Sequence, residues 1–304
     1  MTAKKISELA TATEAQIYND IVLPIVSGGN TTLKAAARSA LFYALVPDGA
    51  AAHNEIYRGK DITADFNSGV FSTNVANGTF RNIFRGDYII KEMTSSIGGT
   101  ETVKWLVAGL DYFLRCGSTD ITTHHVVLVP EDCFKTAAKM NSSNTTVGAY
   151  VGSEMYTTTL PAYATAVVNA FGSSHILSHT DLLATAMTAA TASMAGSGLT
   201  GASTSWAWQS DRKIDLLSEP MVYGTTVCSS SFYDVGCGKS QLPLFAARPD
   251  LIQCGSGYNS TGRSHWWLHA VASSAYFACV SNNGCAYNSG ASSALGLRPF
   301  ILVK

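Results

Sequence analysis

Apolar positions along this chain fall mostly in short runs, separated by Gly, Ser, Thr and Asn. Lys5-Ile6-Ser7-Glu8-Leu9 alternates polar and apolar. Asp20 to Val26 is a strand-like run closed by Ser27-Gly28-Gly29. Thr31 or Thr32 can then cap an Ala-rich helix from Leu33 to Leu45. At roughly three turns that helix is marginal alone in water, so it is expected to pack on another chain or on the next domain. Pro47-Asp48-Gly49 closes this first unit, residues 1–46, and residues 47–79 read as a connection with little core. From Phe80 the texture changes. Phe84–Ile90 and Lys104–Leu114 carry the aromatic and β-branched residues that suit strands. His125–Val129 reads as a buried strand ended by Pro130. Pro161 opens a helix that Gly172 stops after Phe171, and Thr180-Asp181 is positioned to cap a second helix through Met187. Residues 191–205 form a small-residue loop, and Trp206-Ala207-Trp208 starts ordered chain again, continued by Leu216 to Tyr223. The last third predicts short strands at Trp266–Leu268, Tyr276–Val280 and Leu297–Val303, with a turn at Asn283-Gly284 leading into Cys285-Ala286-Tyr287. The expected class is α+β: an N-terminal unit (1–46), a linker (47–79) and one β-rich domain (80–304).

Charge sharpens the picture. Only 13% of residues are charged and the net charge is −1, against about 25% charged in an ordinary soluble protein. A neutral chain is not built to hold nucleic acid by its phosphates, and so apolar a chain is not a disordered one. No run is long and apolar enough for a membrane span, and Met1–Glu8 does not read as a secretory signal. Low charge predicts a surface covered by other subunits or made of small uncharged polar groups. Seven cysteines, an odd number without a CxxC, argue against a complete disulfide framework. Cys228 with Cys237, and Cys279 with Cys285, are possible pairs; the plainer expectation is free thiols.

Catalytic constellations are not evident. His124 and His125 project to opposite faces of a strand. His175 and His179 have metal-ligand spacing, but Gly172-Ser173-Ser174 interrupts any helix before them, and no HExxH is present. No GxSxG, Walker loop or dinucleotide fingerprint occurs, and Gly255-Ser256-Gly257 is not set between strand and helix. The expectation is a protein without catalytic residues, metal or cofactor.

The C-terminus carries the most information. From Leu251 to Lys304 there is no Asp or Glu, and the only charged side chains are Arg263, Arg298 and Lys304. Such a segment cannot build a calcium site from its own side chains or supply a carboxylate for acid–base chemistry. It offers Trp266, Trp267, Tyr276, Phe277 and Tyr287 among small polar residues, a mixture that gives rigid contact area and adaptable hydrogen bonds. Strand alternation predicts one tryptophan of the pair inside and one near the surface.

The run Arg263-Ser-His-Trp266-Trp267-Leu268, followed by Phe277, Val280, Gly284 and Gly296-Leu297-Arg298-Pro299-Phe300, resembles the C-terminal signature of phage and prophage proteins with a C-type-lectin-like fold. That fold is related to the formylglycine-generating enzyme, and the group includes targets of diversity-generating retroelements. Phe80–Tyr88, Trp105–Phe113, Asn144–Tyr156 and Gln241–Phe245 look similar to the same family. Lys5–Leu9, Leu23–Val26 and Gly28-Gly29 resemble the opening of phage tail and fibre proteins. His269 stands where the family usually has Arg, and Leu297 where it usually has Val.

The resemblance implies a virion receptor-binding protein, made in the host bacterial cytoplasm and assembled into the particle. Its N-terminal unit would join other virion proteins and a homo-oligomer, a trimer in many fibres. Its C-terminal domain would bind a host cell-surface protein or glycan without calcium. The ligand-binding residues so implied are His265, Trp267, His269, Ala270, Ala272, Ser274, Tyr276, Asn282, Asn283, Tyr287 and Asn288. Most belong to the set that adenine-directed mutagenesis of AAY codons produces, as retroelement diversification would. Two alternatives compete: a structural virion component without receptor role, and an enzyme of the formylglycine-generating type using Cys279 and Cys285.

Overall fold

A computed structural model describes residues 22–27, 31–36, 45–187, 193–195, 198–200, 204–229, 236–255, 257–258 and 262–304. The chain divides into two units, Met1–Asp48 and Gly49–Lys304. In the first, β1 (Val22–Ser27) pairs antiparallel with β2 (Thr31–Ala36). The apolar run at β1 was legible as a strand. The helix expected from Leu33 is not formed at its start, where residues 33–36 belong to β2. A short Ala-rich segment has little helical stability of its own, and β1 supplies backbone partners. The rest of that expected helix, residues 37–44, lies outside the described residues.

The second unit absorbs the segment expected to be a linker. Residues 49–79 fold into α1 (Ala50–Glu55), α2 (Thr63–Asn67) and α3 (Val70–Ala76). Phe66, Phe71 and Val75 are buried in the main core. Asp87, fully buried, fastens this segment: it accepts from Arg58 Nη2 (2.6 Å), the Lys60 N–H (2.9 Å) and the Phe84 N–H (2.8 Å). Three short helices escaped the sequence reading because each is under two full turns and held by packing rather than propensity.

The centre is an antiparallel sheet of β3 (Tyr88–Ser95), β4 (Gly99–Leu110), β5 (Val126–Pro130), β6 (Ile176–Leu177), β11 (Asp215–Leu216) and β17 (Pro299–Val303). Its strand order is β11-β17-β5-β4-β3, with β6 also on β17. The sheet curls into a half-barrel. Both faces are buried. Trp105, Val107, Leu128 and Ile301 enter one core, while Leu106, Val127, Val129 and Leu302 enter another. Continuous apolar runs such as Val126-Val127-Leu128-Val129 therefore serve two cores at once. α4 (Leu160–Phe171), with Pro161 in its first turn and Gly172 at its end, covers the first core. α5 (Glu219–Tyr223) and α6 (Pro243–Ala247) cover the second.

Thr180-Asp181 does not cap a helix. β7 (His179–Met187) is a strand paired antiparallel with β10 (Thr204–Arg212), and between them lie the two short strands β8 (Ser193–Ala195) and β9 (Gly198–Thr200). The Asp181 carboxylate instead accepts from the Cys237 N–H at 2.6 Å and from the Leu182 N–H at 2.8 Å. Beyond β12 (Cys254–Gly255) and β13 (Arg263–Ser264), a three-stranded sheet of β14 (Trp266–Val271), β15 (Tyr276–Val280) and β16 (Ala286–Gly290) completes the unit. The fold is mixed α and β, as the class expected from the sequence requires at that level.

Candidate ligand-binding face

The small sheet β14-β15-β16 presents the candidate face along β16 and at the Tyr276 end of β15. β14, and β15 beyond Tyr276, are buried on both sides. Trp267, Val271, Phe277 and Cys279 enter the core beneath α4, while Trp266, Leu268, Ala270, Ala278 and Val280 enter the other. The two tryptophans are therefore both inside, contrary to the alternation expected of a half-exposed strand. Each indole N–H finds a carbonyl, Trp266 on Ile252 O (3.1 Å) and Trp267 on Ala138 O (2.8 Å).

This placement corrects part of the expected site. Trp267, His269, Ala270 and Ala272 are buried and cannot meet an incoming ligand in this structure. His269 donates its backbone N–H to Leu217 O (3.1 Å), and its ring lies 5.3 Å from that of Tyr150. His265, Ser274 and Asn288 are half-buried, and Tyr276, Asn282, Asn283 and Tyr287 are exposed. Tyr276 retains 45% exposure and Tyr287 54%, so both side chains can be reached from solvent. The register sets Trp267 opposite Cys279 and Cys279 opposite Tyr287, so one row of side chains runs from core to rim. His265 meets the Tyr287 ring edge to face at 5.9 Å.

The β15–β16 turn is where the sequence placed it. Gly284 adopts φ +86°, and a Cβ there would lie 2.9 Å from Gln253 Cγ; this is why glycine follows Asn283. Ser281 closes the turn through its N–H to Cys285 O (2.9 Å), and Tyr223 of α5 donates to Gly284 O (3.0 Å). α5 is in turn anchored by Glu219, whose fully buried carboxylate accepts from the N–H groups of Val227 (3.2 Å), Cys228 (2.8 Å) and Ser229 (2.9 Å) and from Ser229 Oγ (2.6 Å). Glu219→Gln turns one acceptor oxygen into an NH₂ that faces these donors. It should lower stability by about 1–3 kcal/mol, measured by denaturant titration; an unchanged midpoint would remove Glu219 as the anchor.

A second aromatic feature was passed over in the sequence as merely ordered chain. Trp206 and Trp208 are 43% and 45% exposed on β10, and residues two apart share a strand face. The Trp-x-Trp spacing was the available signal. The β7–β10 ribbon touches the small sheet through Thr146. The Thr146 hydroxyl donates to Ser273 O (2.8 Å) and lies 2.9 Å from Met187 Sδ, while its N–H donates to Ser274 O (3.2 Å).

Behind the face lies a polar cluster. Tyr150 hydrogen-bonds Asp215, Arg212 Nε donates to Asp215 at 3.2 Å, and the Arg212 guanidinium lies 3.7 Å over the Tyr156 ring. Burial first, then the Asp215 charge, pushes the Tyr150 hydroxyl well above the ordinary phenol range. The cluster fastens the ribbon to β11. Cys279 and Cys285 are free thiols; burial pushes Cys279 up to about 12, far from a reactive thiolate. Cys228 and Cys237 are likewise unpaired as thiols. Among the described residues, no group of three or more His, Cys, Asp or Glu is placed to hold a metal ion, and no helix is long and apolar enough to cross a membrane.

Comparison with protein families, curated proteins and solved structures gave no match to this chain.

Proposed function

We propose that this chain is a phage virion receptor-binding protein, whose 80–304 region is a C-type-lectin-like domain that contacts a host surface protein or glycan without calcium. The observation that carries this reading is the exposure of Tyr276 and Tyr287 at the rim of a sheet whose surrounding segment, 251–304, holds no Asp or Glu. Tyrosines on a rigid strand lose little entropy on binding, and each joins an apolar ring to a polar tip. Asn282, Asn283, Ser274, Asn288 and the flanking His265 supply the hydrogen-bonding rim. Retroelement diversification fits the residue types that reach solvent here. The N-terminal unit joins other virion proteins and a homo-oligomer, a trimer in this reading.

The test is a Tyr276→Ala, Tyr287→Ala double variant of the full chain, assayed for binding to whole host cells. Binding should weaken at least tenfold, the loss of roughly 1.4 kcal/mol or more typical of aromatic anchors, while the melting temperature stays unchanged. Full binding by the double variant would remove this face from the interaction.

A further inference from the structure

We propose that Cys133 and Cys254 are a reversible dithiol–disulfide pair, closed by a small disulfide that reaches Cys133 from the adjoining cleft. Their sulfurs lie 2.8 Å apart, about 0.8 Å beyond the S–S bond of roughly 2.05 Å. The backbones are already side by side, because the Cys133 N–H donates to Gly255 O at 3.2 Å. Both thiols are buried. Arg298 holds the two segments together from beneath: its Nε donates to Pro130 O (2.8 Å) and its Nη1 to Leu251 O (2.7 Å). Each of those residues stands three positions before one of the cysteines.

Arg298 is fully buried, and its Nη2 has no hydrogen-bond partner among the described residues. A guanidinium held in so dry a place favours a nearby negative charge, and a thiolate is the charge this site can generate. Burial alone pushes the Cys254 thiol up, but the Cys133 S–H and the Arg298 charge outweigh it and hold Cys254 below the ordinary thiol range. Burial, with the hydrogen bond and charge of Cys254, keeps the proton on Cys133.

Access comes through a cleft of about 250 Å³ lined by Glu101, Lys104, Asp132, Cys133, Lys135 and Gly257. Lys104 and Glu131 at its wall each keep 36% of their side-chain surface exposed, so the cleft opens to solvent. Cys254 takes the proton of Cys133 as the Cys133 sulfur attacks one sulfur of the incoming disulfide, which expels one thiolate. The proton then leaves Cys254, whose sulfur attacks Cys133 and expels the second thiolate. Two electrons pass to the small disulfide; the one proton the pair held ends on one of the released thiolates, and the other takes its proton from solvent. The bond so formed clips β12, and with it the segment leading to the candidate face, to the end of β5.

The experiment equilibrates the full chain with oxidised glutathione and then with reduced glutathione. After an acid quench and alkylation, peptides are mapped without reduction. The Cys133 and Cys254 peptides should leave the alkylated pool, appear as one cross-linked species and return on reduction. Full alkylation of both after oxidation, or linkage of either to another cysteine, would overturn the proposal. Cys254→Ser removes the group that takes the Cys133 proton, so glutathione should be trapped on Cys133 only as the pH is raised into the thiol range; absence of that adduct at every pH in a folded variant would overturn entry through the cleft. If the variant does not fold, the wild-type map alone decides the pairing.

Discussion

Trp267→Ala should lower the unfolding free energy by about 3–5 kcal/mol, the range for emptying a buried aromatic site. The ring is fully buried among Val271, Phe277 and Cys279, and its N–H is held by Ala138 O. Truncation opens a cavity and strands that carbonyl. Tyr276→Ala, on the same sheet but at its rim, should stay within about 0.5 kcal/mol of wild type. Denaturant titration of the two variants separates the residues that build the face from those that use it. A cost below about 1 kcal/mol for Trp267→Ala would show that the residue is not core. Any loss of binding in that variant should follow its loss of fold.

Acidification should destabilise the protein by roughly 3 kcal/mol through His179 alone. Burial, opposed by the Asp215 carboxylate and assisted by Arg212, lowers the His179 imidazolium to about 4. Its ring packs against the stacked pair Phe113 and Phe300, with centroids 5.5 and 5.1 Å away. The unfolded chain takes up this proton near pH 6.5, whereas the folded one does so only near 4. Between these values the unfolded state binds more protons, so stability falls as pH falls. His125 is lowered by burial too and adds in the same sense. Asp181, raised by burial, acts in the opposite sense and offsets part of the loss. Melting temperature followed from about pH 7 down to about 4 should drop progressively, and His179→Leu should flatten the slope. A flat wild-type profile would contradict the burial of a neutral His179.

What the sequence disclosed follows from which signals were local. β5 and β17 were legible because unbroken apolar runs of strand length have few other fates, and α4 because Pro161 and Gly172 mark its two ends. β7 was misread because an Asp near a strand start looks like a helix cap, whereas the Asp181 partner is Cys237, far along the chain. α1 to α3 were missed because Phe66 and Phe71 find their neighbours only in the tertiary fold. For the candidate face, Tyr276, Tyr287, Asn282 and Asn283 were legible as bulky or polar residues in a carboxylate-free stretch. Trp267, His269, Ala270 and Ala272 were not, because alternation tells two faces apart without saying whether both are covered. The Cys133–Cys254 proximity joins residues 121 positions apart, beyond the reach of any spacing rule.

The place of β17 inside the central sheet, between β11 and β5, dictates an order of assembly. β5 emerges from the ribosome long before residues 299–303, and until then one edge of Val126–Pro130 has no neighbour. An apolar strand with an open edge invites pairing with another nascent chain. Folding of the larger unit therefore has to be completed after most of it has been synthesised, and shielding of the β5 edge during that interval governs the yield of native protein.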